Sequence, residues 1–498
     1  MATITANLTT IADAETVTGW TGPTPALDSE VLKEGNNSVS FIVRNNGTQI
    51  YFSMTNQDYS EEHIRMWVTT GVYGLMETKA LGGLRFFMYD GANTAYWNIA
   101  GKDTYAGGWL NICVYTESTP DSGTVNTASV DRIGVEFALT GSAKRVINTW
   151  VDYMRYGDGL QAESAASEYF GMEEIFLDDI ANGYGIVEKF EGVYFLSGAL
   201  ELGDTVSTAN CYYTDSNVDV KFTDKNVKST LYKIAVAGNS TGTTDFVFKS
   251  GSIKAAGASF SLDFTDSNIN DFTLSGAAIA QGREIYFSND SGHYVTTNTF
   301  NSCGEIYPDL AEFITNIVSD TTGDNGLVFP TGTNNVSYCT FLNNGVATLY
   351  TAGGTYADDN NTYTNNTYDV ENNSAGDVTI NATGVSNIST STNSGGGTVT
   401  ILNTKQVVFE IEVDGVGITG YEWRLYEKNA TPGIIGNVNL AGEENAASST
   451  QTYNFTYSSD TDAVLQIIHD GYEESQTYFT LENKDKSFTI NLTKEENI

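Results

Sequence analysis

A polar run that repeats itself constrains this chain more than any other feature. Residues 336–369 read VSYCTFLNNGVATLYTAGGTYADDNNTYTNNTYD, with few apolar residues and no Lys or Arg. Such a composition ordinarily leaves a segment disordered, because too little apolar surface is buried to offset the entropy of ordering. Yet the run returns to one phrase, TFLNNG at 340–345 and TYTNNT at 362–367. Extending the alignment through FTLSG (272–276), NTFNS (298–302), NIVSD (316–320), CTFLN (339–343) and NTYTN (361–365) places apolar anchors at Leu274, Phe300, Val318, Phe341 and Tyr363. They are separated by 26, 18, 23 and 22 residues. A loose period of that length marks coils that bury their apolar side only by stacking on one another. Parallel pairing of successive coils sets like residues over like, so Asn amides can hydrogen-bond along the stack. The polar run is thereby expected to be ordered.

The rest of the chain points to strands as well. Its 498 residues exceed one ordinary domain. Six prolines, 49 glycines and an excess of Thr, Asn, Ser and Tyr favour strands and turns. EYFGMEEIFLDDI (168–180) is the best of a few short helical candidates. The expected fold class is all-β, in three segments. Residues 1–190 alternate in the strand manner at SVSFIVRN (38–45), TQIYFSM (48–54), LRFFMYD (84–90), AYWNIAG (95–101) and DRIGVEFAL (131–139), and hold five of six tryptophans. Residues 191–400 carry the repeat. After the Ser/Gly-rich STNSGGGT (391–398), residues 401–498 match a small sandwich built on QVVFEIEVD, GYEWRLYEK, QTYNFTYS, AVLQIIHDGYEE and KSFTINLT, with Trp423 as its central ring.

Charge excludes some functions. Against 62 Asp and Glu stand 24 Lys and Arg, a formal net charge of −38. Phosphate backbones need clustered Lys and Arg, so no nucleic-acid partner is expected, and anionic membranes are disfavoured likewise. No apolar run approaches the roughly 20 residues of a membrane span, so no membrane insertion is expected. The opening MATITANLTTIADAETV has neither a basic n-region nor an apolar h-region. Cys113, Cys211, Cys303 and Cys339 lack CxxC or zinc-type spacing and read as reduced core thiols, Cys303 and Cys339 inside the stack.

Catalytic machinery is sparse. His63, His293 and His469 fall in different segments without a GxSxG partner and read as polar surface residues. No HExxH and no phosphate loop occurs, and no cofactor is expected. A glycosidase needs only two carboxylates, and Asp320, Asp324, Asp358 and Asp359 could share a face beside Tyr350, Tyr356 and Tyr363. Turns in a repeat select Asp for backbone reasons alone. From 284 to 404 there is no Lys or Arg, which disfavours a cleft for an anionic polysaccharide. Asp215, Asn217 and Asp219 alternate in a pattern that suits Ca²⁺ on one strand face, but DSNVDV lacks the EF-hand Gly and Glu, so no metal is expected.

Three resemblances add to this reading. AYWNIAGKDTYAGGWLNICVY (95–115), a strand, a Gly-rich corner and a second strand, resembles the concanavalin-like jelly roll of lectin-type modules and of tailed-phage virion proteins. Carried over, a sugar-binding role would rest on Trp97, Tyr105 and Trp109, rings that equally suit a sandwich core. The repeat resembles the right-handed parallel β-helix of the pectin-lyase-like kind. DGYEE (470–474) followed by SFTINL (487–492) resembles immunoglobulin-like or carboxypeptidase-regulatory-like modules, without the immunoglobulin cysteines. The combination is similar to a tailed-bacteriophage tail fibre, spike or head-decorating protein. That resemblance implies a non-enzymatic homotrimer on the virion exterior, made in the host bacterial cytoplasm. Its partners would be other virion proteins and a host-surface glycan. A polysaccharide-degrading tailspike on the same β-helix is the alternative.

Overall fold

The computed structural model describes residues 2–71, 83–100, 108–139, 146–206, 209–222, 227–228, 232–238, 240–255, 260–287, 292–321, 325–330, 334–428, 435–436, 446–457 and 460–494. The fold is all-β in several sheets; among the described residues the one α-helix is Met172–Asn182. The chain divides into two compact units, Met1–Tyr294 with Asn301–Gly304, and Val295–Phe300 with Glu305–Ile498.

The first unit begins with two antiparallel sheets over one core. One runs Leu110–Tyr115, His63–Thr70, Ile147–Tyr156, Ser38–Val43, Ala26–Asp28; the other runs Thr94–Ala100, Leu84–Tyr89, Val130–Phe137, Thr48–Gln57. Period-two alternation sends Phe86 and Met88, Ala95 and Trp97, Ile133 and Val135 inward against Phe41, Met66, Ile112 and Val151. Two histidines contradict the surface expectation. His63 is fully buried, stacked on Tyr115 at 4.8 Å with Nδ1 3.0 Å from Asp158 Oδ1. His293 is buried with Nε2 3.1 Å from the Ile269 carbonyl. Asp158 and the Ile269 carbonyl each give one ring nitrogen a partner in place of solvent, while His63 Nε2 is buried without one.

Pairing changes character at Gly159–Ser164, which is antiparallel to Ala2–Ala6 on one side and parallel to Ala199–Leu202 on the other. From there strands of successive coils pair in parallel, one in each of three sheets for each coil, with Val187–Phe190 added antiparallel at the edge of one of them. Tyr213, Phe246 and Phe272 fall in register and their rings stack at 5.2 Å. The helix forms where expected. Glu173 and Glu174 lie in its first turn, Asp215 accepts the Met172 N–H at 2.9 Å, and Gly183 closes it at φ 65°. Residues 215–220 do not form one strand face. Asn217 turns at φ 59° between Cys211–Ser216 and Asp219–Phe222, so the three oxygen side chains do not line up.

The second unit explains the Asn-rich phrase. Val318, Phe341 and Tyr363 stand in one register row, and the last two rings stack at 4.9 Å. In TFLNNG and TYTNNT the first Asn, Asn343 or Asn365, takes the left-handed conformation at φ 56° and 55°. Asn tolerates that region better than most residues. The second Asn turns inward: Asn344 donates to the Val318 carbonyl at 3.0 Å and to Asn366 Oδ1 at 3.1 Å. Asn366 repeats the pattern on the Phe341 carbonyl at 3.3 Å. A parallel ladder runs through Asn298, Asn316 and Asn361, with Cys339 in an Asn position: its Sγ donates to the Phe313 carbonyl at 3.4 Å, and its N–H reaches Asn361 Oδ1 at 2.8 Å. Leu274 does not belong to this row. It pairs with Phe248 in a neighbouring sheet of the first unit, and Ile279, opposite Ile253, holds the corresponding place there. Asn344→Ala removes three contacts from buried backbone and amide groups, so about 2–3 kcal/mol of stability should be lost in chemical unfolding.

Val399–Val413 is parallel to Val378–Thr383 in its first half and joins Thr450–Thr456 and Lys486–Asn491 in its second. A second sheet, Glu422–Lys428, Thr461–Ile468 and Ser475–Leu481, shares a core with it around Phe409, Trp423, Leu465 and Ile467. Lys405 sits in this long strand with its ammonium buried, donating to the Gly384 and Ser386 carbonyls at 2.7 Å each.

Candidate functional site

The outer face of one parallel sheet in the first unit carries a cleft of about 320 Å³. Its floor follows from register. Gln161 pairs with Glu201, Glu201 with Ala235, and Ala235 with Asp263, so these four form one row across four strands. Their neighbours Leu160, Leu200, Leu202, Ile234, Val236 and Leu262 are buried beneath, and alternation turns the row outward. Ala235 is short between two carboxylate side chains, which makes the notch. One wall is Gly203 and Asp204; Gly203 has φ +83°, and a Cβ there would lie 2.2 Å from the Ala237 carbonyl. The other is Thr265 and Asp266.

Most of the polar atoms here are engaged. Lys233 Nζ lies 3.0 Å from Asp263 Oδ2, and Thr265 Oγ1 donates to Asp263 Oδ1 at 2.8 Å. Burial pushes the Asp263 carboxyl up, but the Thr265 hydroxyl and the Lys233 ammonium outweigh it and hold it below the usual range. Asp266 accepts the Gly238 and Asn268 N–H groups, Asp204 that of Val206, and Gln161 donates to the Gly203 carbonyl at 3.2 Å.

The residues expected to contact sugar are not brought together. Trp97 is fully buried, tilted on Phe86 at 5.8 Å with Nε1 donating to the Ser118 carbonyl at 3.1 Å, so it has no face to offer a pyranose. Trp109 is half-buried, next to the strand Leu110–Tyr115, and Tyr105 lies outside the described residues. Of the four aspartates proposed for a glycosidase face, Asp324 lies outside the described residues and Asp358 is buried, bonded to the Ser386 and Tyr363 hydroxyls. Burial pushes the Asp358 carboxyl up. Asp359 accepts from Thr383 Oγ1 at 2.6 Å and Asn360 Nδ2 at 2.9 Å. Tyr350, Tyr356 and Tyr363 are buried. Among the described residues no group of three or more His, Cys, Asp or Glu is placed to hold a metal ion.

All four cysteines are buried and none is in a disulfide. Burial pushes the thiols of Cys211, Cys303 and Cys339 up to about 12. At pH 8 the folded protein should therefore react with an aromatic disulfide reagent hundreds-fold more slowly than the unfolded chain, in which all four thiols titrate; the absorbance of the released thiolate reads both.

No protein-family model matches this chain, and no curated protein does. Solved structures offer distant likenesses. The C-terminal CBM6 of LamC, a marine laminarinase from Zobellia galactanivorans, is 16% identical over 30% of this chain and 98% of that one, with a TM-score of 0.19. The catalytic domain of a GH87 alpha-1,3-glucanase in complex with nigerose is 10% identical over 80% of this chain and 95% of that one, at 0.18. Xylanase10C from Cellvibrio japonicus is 11% identical over 43% and 38%, at 0.20. At these scores none carries an argument about fold or activity.

Proposed function

We propose that this chain is a non-enzymatic structural protein on the exterior of a tailed-bacteriophage particle, a tail fibre, spike or head-decorating component. In this reading residues 1–190 are a concanavalin-like jelly roll, 191–400 a right-handed parallel β-helix and 401–498 an immunoglobulin-like sandwich. The chain acts as a homotrimer bound to other virion proteins, with a host glycan as its outward contact. The observation that supports it best is the fate of the repeat's polar residues. Asn344, Asn366, Asn316, Asn361 and Asp358 are committed to neighbouring coils, which suits a stiff spacer. Mass spectrometry of purified tailed-phage particles from the same source should recover its peptides, and antibodies raised against the purified chain should decorate the outside of those particles. Light scattering should give three times the chain mass. A monomer, or particles free of the chain, would overturn the assignment.

One observation favours the polysaccharide-degrading alternative: Glu201 and Asp263 flank Ala235 two strands apart, about 10 Å between backbones. Inverting glycosidases hold their carboxyl groups about 6.5–9.5 Å apart. The acid of such a pair needs a raised pKa, whereas Asp263 is held low. Release of reducing ends from capsular polysaccharide by the purified chain, lost in Glu201→Gln, would decide for the enzyme.

A further inference from the structure

We propose that Lys405 locks the C-terminal sandwich to the last coil of the stack, so that the two modules move and unfold as one body. The inference is independent of the virion assignment.

The joint begins with one strand. Val399–Val413 pairs with Val378–Thr383 as far as Asn403 and with Thr450–Thr456 from Thr404 onward, so coil and sandwich meet at adjacent residues. Its sequence, VTILNTKQVVFEIEV, has no Gly or Pro at which the strand would bend. A single strand still leaves the sandwich free to twist and swing about its line. A second attachment off that line removes the freedom, and Lys405 supplies one.

The sheet that carries Val318, Phe341 and Tyr363 ends at Thr362–Thr364. Residues 384–390 run beside that edge without forming a strand and are held by side chains instead. Asn387 accepts the Tyr363 N–H at 2.7 Å and donates to its carbonyl at 3.1 Å. Asp369 accepts the Ser389 and Thr390 N–H groups, and the Ser386 hydroxyl donates to Asp358. Among the described residues no further strand follows in this sheet to donate to the Gly384 and Ser386 carbonyls. The Lys405 ammonium takes both at 2.7 Å, reaching out of the sandwich strand from the point where its backbone pairs with Phe455. Its side chain is enclosed, at 1% exposure. Burying an ammonium is costly unless its donors are met, and here the coil's carbonyls meet them. Burial pushes its pKa down, while the charges of Asp485 in the sandwich and Asp358 in the stack oppose that, so the cation is seated between the two modules. An apolar side chain of equal length could fill the space but could not hold the coil.

Hydrogen exchange of the full chain at graded urea, read by mass spectrometry, tests this. In the wild type, amides of the coil strands Val346–Tyr350 and Tyr368–Asn372 should share one opening free energy with those of Thr461–Ile468 in the sandwich. In Lys405→Met the two sets should separate by about tenfold or more in exchange rate, because two bonds to buried carbonyls are lost. Spin labels at Val416→Cys and Tyr368→Cys, both exposed positions, give a second readout; the native thiols are buried and escape labelling. Their distance distribution should be a single narrow peak while Lys405 is present, and Lys405→Met should lose that peak to a broad one. A lysine that merely adds stability would leave the peak narrow. Two opening free energies or a broad distribution in the wild type would overturn the proposal, as would either readout unchanged in Lys405→Met. The wild-type measurements decide alone if Lys405→Met fails to fold, which circular dichroism will show. None of these results bears on whether the chain belongs to a virion.

Discussion

Trp97→Ala should cost the first unit about 3–5 kcal/mol, which lowers its denaturant midpoint sharply or abolishes its cooperative transition. The indole is fully enclosed between the two antiparallel sheets. Its removal opens a cavity beneath Phe86 and strands the Ser118 carbonyl that Nε1 satisfies. Truncations of buried aromatic side chains cost about that much, because the surroundings collapse only in part. Trp109→Ala is the control: the ring is half-buried outside the core, and its loss should cost under about 1 kcal/mol. Urea unfolding of both variants, followed by circular dichroism, reads the difference. Equal costs would mean that the indole of Trp97 is not the keystone of this core. The same experiment bears on sugar binding: a Trp97 variant that loses affinity for a glycan does so by losing its fold.

The stack was legible where chemistry repeats at the period of the coil. Val318, Phe341 and Tyr363 announce themselves because a group of one or two large apolar residues recurs between polar turns, and they do lie over one another. The paired Asn residues after Phe341 and Tyr363 were legible for the same reason, although their separate duties, a left-handed turn and an inward ladder, appear only in three dimensions. Leu274 was misplaced because coils differ in length, so a fixed period drifts from one sheet into its neighbour. His63 and Asp158 could not be read as a pair: 95 residues separate them, and only the start of parallel pairing near Gly159 brings them together. The cleft was invisible for a kindred reason. Gln161, Glu201, Ala235 and Asp263 share no motif and are aligned purely by strand register, which a sequence with irregular coils does not disclose.

Asp179→Ala should destabilise the first unit by on the order of 3 kcal/mol at neutral pH, although it removes a buried charge. Asp179 is 2% exposed, near the end of the helix Met172–Asn182, and its carboxylate gathers the N–H groups of Gly185, Ile186 and Val187 at 2.9–3.0 Å. Those residues bring the chain from the helix into the strand Val187–Phe190, and without the carboxylate three buried donors have no partner. Each such loss costs about 1–3 kcal/mol, so together they exceed the relief from removing one desolvated charge. Burial pushes this carboxyl up to about 6 from 3.8, against the pull of the three N–H groups, and Asp152 is raised to about 6 by burial as well. A folded-state pKa above the unfolded value means that the folded chain binds more protons between about pH 4 and 6. The stability these two groups contribute is therefore complete below about pH 4 and lost as pH rises through 6, roughly 3 kcal/mol for each. Removing Asp179 should flatten that slope by about half, so the gap between the two proteins narrows as pH climbs from 4 to 7. Unfolding free energies measured at half-unit steps across this window test both statements. A gap between wild type and variant that widens across it would show that the backbone donors, and not burial, govern the proton on Asp179.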